Sequence, residues 1–119
     1  MIKIYHNPRC SKSREALALV EQFAARNALP VVIMEYLKTP PTITELEELH
    51  RQIGGDLREM VRTNEEEYED LSLHQAASAD LLQAIHANPK LLQRPIVVYQ
   101  GQAVIARPPE RLNDFLNDK

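Results

Sequence analysis

Apolar and polar positions alternate at the start of the chain. Ile2, Ile4 and Tyr5 flank Lys3 and stop at Asn7 and Pro8, which predicts a short strand closed by a turn. The period then changes. From Ser11 to about Arg26 the apolar residues Ala16, Leu17, Val20, Phe23 and Ala24 recur at helical spacing, with Asn27 placed to cap the helix in the left-handed conformation. Val31, Val32, Ile33 and Met34 form a β-branched run too short for a helix, so a buried strand is expected there. Two strands joined by such a helix lie parallel, with a right-handed crossover.

The middle of the chain reads as helical. Thr42 and Glu45 make a capping-box pattern ahead of Leu46, Leu49 and Ile53, and Gly54 and Gly55 close that helix. Asp56 can cap another, with Leu57, Met60 and Val61 on its apolar face, before Thr63 and Asn64 interrupt. Glu65, Glu66 and Glu67 read as a solvated helix start, and Ala79 to Ala87 as a further helix built on Leu81, Leu82 and Ile85. Residues 42 to 92 are thus expected to form a helical insert. Ile96 to Tyr99, the turn at Gln100 and Gly101, and Ala103 to Ala106 predict a hairpin, followed by a closing helix from Glu110 to Leu116.

Composition narrows the class. At 119 residues a single domain is expected, and a formal charge of -3 with both signs interspersed argues against nucleic acid as partner. No apolar run approaches the ~20 residues that span a bilayer, and the N-terminus lacks the regions of a signal peptide, so no membrane partner and a cytoplasmic location are expected. A monomer is the default. His50, His74 and His86 lack tight ligand spacing, so no metal site is expected.

One residue carries unusual chemistry. Cys10 is the single cysteine, in the run His6-Asn7-Pro8-Arg9-Cys10-Ser11-Lys12-Ser13-Arg14. Placed at the first turn of a helix, it would meet unpaired N–H groups and the positive end of the macrodipole, with Arg9, Lys12 and Arg14 adding charge; all favour a thiolate. The same N–H groups can bind an oxyanion. Equally, a small cysteine at a strand end can simply be buried. Two dithiol or phosphatase patterns fail: a C-x-x-C motif needs cysteine where Ser13 stands, and a C-x5-R loop needs arginine where Ala16 stands. What fits is a monothiol nucleophile resolved by a thiol from another molecule.

Five ordered segments extend this reading: Tyr5 to Cys10 with Ser13 and Arg14; Tyr36-Leu37-Lys38-Thr39-Pro40; Arg62-Thr63-Asn64 with Tyr68; Arg94-Pro95-Ile96-Val97-Val98; and Arg107-Pro108-Pro109-Glu110. Together they resemble the glutaredoxin-coupled arsenate reductase (ArsC) family, in particular its short branch. The resemblance implies an α/β fold, a thioredoxin-like sheet with a helical insert in a single domain. It implies Cys10 as the nucleophile on arsenate or a similar oxyanion, and Arg62, Arg94 and Arg107 as its ligands, since guanidinium forks match tetrahedral oxyanions. His6, Ser13 and Arg14 would be accessory: His6 helping to keep Cys10 ionised, Ser13 donating to the thiolate. No bound cofactor is implied; glutathione is the co-substrate and glutaredoxin the partner that clears the mixed disulfide. Pro95 would lie opposite the cysteine, and the Arg94-Pro95 bond could be cis. The alternatives are an Spx-like regulatory binding module and a thiol reductase acting on a different oxyanion or disulfide.

Overall fold

The structure is a computed structural model that describes residues 1–117. Two compact units divide it: residues 1–36 with 94–117, and Leu37–Gln93. The first holds a four-stranded mixed sheet in the order β2-β1-β3-β4, with β1 at Ile2–Tyr5, β2 at Val31–Met34, β3 at Ile96–Tyr99 and β4 at Gln102–Ile105. Strand β1 is central, pairing parallel to β2 (Ile4 opposite Ile33) and antiparallel to β3 (Ile4 opposite Val97). The crossover between β1 and β2 is α1, Ser11–Arg26. Its Ala16, Val20 and Ala24 are buried with Ile2, Ile4 and Val97, and with Leu112 and Leu116 of α5 (Arg111–Asn117). The helical period of α1 and the two-residue period of β1 therefore point their apolar sets at one core.

Several expectations are corrected. Strand β2 is an edge strand rather than a buried one, and Ile33 is 45% exposed. Its β-branched run reflects strand propensity, which does not distinguish an edge from a centre. Asn27 is not left-handed (φ -111°); that conformation falls on Ala28 (φ 52°). The reason is the form of the helix end: the Leu29 N–H bonds to the Ala24 carbonyl at 2.9 Å, a closure that requires left-handed geometry one residue beyond the cap. The hairpin turn takes positive φ at both Gln100 and Gly101, matching the right-handed twist of the strands it joins.

Within Leu37–Gln93, α2 (Ile43–Ile53) begins at the Thr42–Glu45 capping box and ends at Gly54. It packs against α4, Ser78–Ala87, where Leu81 and Ile85 are fully buried. The expected helix after Asp56 is only a 3₁₀ turn, Leu57–Met60. Its continuation is prevented by pairing with a later segment of the same chain, because Val61 bridges Leu92, the Arg62 N–H bonds to the Leu91 carbonyl and the Gln93 N–H to the Met60 carbonyl. Helix α3 is short, Glu66–Asp70, and the acidic run at its start is partly paired: Glu65 with Arg62 and Glu67 with Lys90. Among the described residues no helix is long and apolar enough to cross a membrane.

Candidate active site

The site is built from a loop that the sequence pins to itself. Asn7 acts twice: its carbonyl accepts from the Cys10 N–H at 3.0 Å, and its Oδ1 from the Arg9 N–H at 3.1 Å. Cys10 becomes the N-cap of α1 with extended backbone (φ -93°, ψ 122°), and its carbonyl accepts the first helical bond, from Arg14. Its side chain therefore sits among donors that α1 cannot satisfy internally.

The half-buried thiol has a lowered pKa. Burial pushes it up, but the Ser13 backbone N–H, the positive charge and a hydrogen bond of Arg94, and the Lys12 N–H together outweigh burial. The acting cation is thus Arg94, delivered from the loop that enters β3, rather than the neighbours in sequence. This corrects the expectation for Arg9, Lys12 and Arg14. Lys12 faces Glu15 at 3.8 Å, and the Arg14 guanidinium donates to the Pro8 carbonyl at 2.9 Å, bracing the loop.

Ser13 and His6 lie together beneath the loop. Ser13 is fully buried, its Oγ accepting from the Asn7 N–H at 3.0 Å and lying 2.6 Å from His6 Nδ1. Its backbone amide is one of the groups that stabilise the anion. Burial holds the His6 imidazole below its ordinary pKa, with Glu35 opposing and Arg14 assisting, so at neutral pH it is uncharged. His6 contributes position, not charge.

Arg94 and Arg107 meet in the same unit. Arg107 is exposed, and its Nη1 lies 3.5 Å from the Arg94 carbonyl. Each arginine precedes a proline through a cis peptide bond, at Arg94-Pro95 and Arg107-Pro108; the second was not anticipated. Among the described residues the buried Nε of Arg94 has no hydrogen-bond acceptor. Arg62 belongs to the unit Leu37–Gln93, where its Nη2 lies 3.4 Å from Glu65 Oε1. Sequence reasoning missed the double use of Asn7 in shaping the loop; the Asn-Pro pair was its signal.

A thioredoxin-like fold bearing one activated thiol beside an arginine defines a class of thiol-dependent oxidoreductase sites. Comparison with known proteins places the chain more closely. Residues 5–115 match the family model described as the ArsC family. An uncharacterised Escherichia coli K12 protein, YfgD, is 43% identical over 97% of this chain and 96% of its own. An arsenate reductase of Neisseria meningitidis serogroup A is 40% identical over 97% of each. The solved structure of the Vibrio cholerae arsenate reductase superposes with a TM-score of 0.86 at 42% identity, covering 95% of each chain. The chain belongs to the ArsC family.

Proposed function

We propose that this protein is a cytoplasmic arsenate reductase that uses glutathione and glutaredoxin. The observation that carries the reading is the activated Cys10 thiolate next to the Arg94 guanidinium, whose buried Nε still has a hydrogen to give. Kinship with the arsenate reductases of Neisseria and Vibrio supports the choice of oxyanion. Arsenate enters with its oxygens on Arg94 and Arg107, and the guanidinium groups offset the repulsion between two anions. The Cys10 sulfur attacks arsenic, an arsenate hydroxyl takes a proton from solvent and leaves as water, and a sulfur–arsenic(V) bond forms. A glutathione thiolate then attacks the Cys10 sulfur. The sulfur–arsenic bond breaks with its electron pair on arsenic, releasing arsenite and leaving a Cys10–glutathione disulfide, which glutaredoxin reduces. His6, Ser13 and Arg14 hold the loop in which these steps occur.

The test is a coupled reduction assay with arsenate, glutathione and glutaredoxin on wild type and Cys10→Ser. Serine is not ionised at neutral pH, so turnover should vanish while the far-ultraviolet circular dichroism is kept. Turnover of the variant near that of wild type would overturn the nucleophile, and an inactive wild type would overturn arsenate as the substrate.

A further inference from the structure

Cysteine is an unusual residue with which to begin a helix. The residues favoured there carry an oxygen that accepts from the amides of the first turn and fixes the entry of the chain, whereas a thiol sulfur is a weak acceptor. Cys10 is nevertheless the N-cap of α1, and the Lys12 and Ser13 amides act on its sulfur. Its hold must come from another residue, and the hydrogen bonds converge on Asn7. The Asn7 carbonyl accepts from the Cys10 N–H at 3.0 Å, its Oδ1 accepts from the Arg9 N–H at 3.1 Å, and its own N–H donates to the buried Ser13 Oγ at 3.0 Å. The first two bonds close the turn over residues 7–10, with Pro8 presetting φ at its second position. The third ties that turn to the first turn of α1.

We infer that Asn7 is a positioning residue, whose side-chain oxygen fixes the turn that sets the Cys10 sulfur against the Lys12 and Ser13 amides. This rests on the reading of Cys10 as a nucleophile, and it names what holds the nucleophile in place. The carbonyl and N–H of Asn7 are backbone groups that any residue but proline would supply, so the residue type contributes Oδ1 alone. Through it the Arg9 amide is spent inside the turn, as the Cys10 amide is on the carbonyl, and the amides left to the sulfur are those of the helix. Aspartate would accept the same bond but would bring a negative charge to a turn that holds an anion. Asparagine supplies the oxygen without the charge.

The experiment needs no arsenate. Alkylation of Cys10 by iodoacetamide is followed from pH 5 to pH 10 on the reduced, full-length protein, with urea unfolding measured in parallel. The thiolate attacks carbon, a sulfur–carbon bond forms as the carbon–iodine bond breaks, and iodide leaves with the electron pair. In Asn7→Ala the sulfur is no longer held at the two amides, so the midpoint of the pH profile should rise by about 0.5–1 on the pH scale. Asn7→Ser can close the same turn more weakly through its hydroxyl, and its midpoint should fall between those of wild type and Asn7→Ala. A lower urea midpoint with an unmoved pH profile in Asn7→Ala would overturn the inference, because Asn7 would then serve the fold alone. A profile for Asn7→Ser displaced as far as that of Asn7→Ala would also overturn it. Should Asn7→Ala fail to fold, an Asn7→Ser profile coincident with wild type would do the same. Failure of the wild type to reduce arsenate would count against the proposed substrate alone, since the alkylation profile is read without it.

Discussion

The buried Ser13 hydroxyl is the joint on which the active loop hangs, and Ser13→Ala tests it. The substitution removes a bridge with two arms, the bond from the Asn7 N–H at 3.0 Å and the contact with His6 Nδ1 at 2.6 Å. Asn7 is half-buried, so water can replace its partner at a cost of about 1 kcal/mol. His6 is only 5% exposed, and an unsatisfied ring nitrogen there costs about 2 kcal/mol. The sum is on the order of 3 kcal/mol. With a urea m-value of about 1.5 kcal/mol/M, the unfolding midpoint should fall by about 2 M at unchanged m, as followed by circular dichroism. Ser11→Ala, at the exposed first position of α1, is the control and should stay within ~0.5 kcal/mol. Because the Ser13 amide survives in the alanine variant, iodoacetamide alkylation of Cys10 should keep its low pH midpoint. A midpoint shift no larger than that of the control, or a thiol returned to the ordinary range, would refute the division of labour between hydroxyl and amide.

Three further outcomes follow from the same geometry. Arg94→Met removes the cation that acts on the thiolate, so the pH profile of Cys10 alkylation should move up toward that of a free thiol; an unchanged profile would leave the amides alone responsible. Burial depresses the His6 pKa, so below about pH 6.5 the unfolded chain binds a proton that the folded chain refuses, and stability should fall as pH drops through the window between the two values. Replacing His6 by Gln should flatten that slope in chemical denaturation at several pH values. Ala28→Gly relieves a non-glycine residue at φ 52° and should raise stability by about 0.5–1 kcal/mol, measured as a higher unfolding midpoint; a loss would mean that the alanine methyl packs usefully.

The sequence by itself determined the local elements. The period of Ala16, Val20 and Ala24, the Thr42–Glu45 box, the Gln100-Gly101 turn and the placement of Cys10 at the start of a helix are legible because each depends on residues within a few positions of one another. Five separated segments also disclosed the family, since their order survives without any knowledge of contacts. Tertiary structure decided what those elements do with their side chains. Three basic side chains stand beside Cys10 in a linear reading, and folding gives them other places: Arg9 is exposed, Lys12 faces Glu15 and Arg14 braces Pro8. The effective cation comes from Arg94, which pairing of β3 with β1 brings back beside the loop. Likewise only folding sets the Ser13 hydroxyl 2.6 Å from the buried ring of His6. The edge position of β2 and the curtailed turn at Leu57–Met60 were set by which backbone pairs with which, at Ile4 with Val97 and at Val61 with Leu92. Propensity and capping are short-range effects and can be read along a chain; charge, burial and pairing depend on residues that only folding makes neighbours.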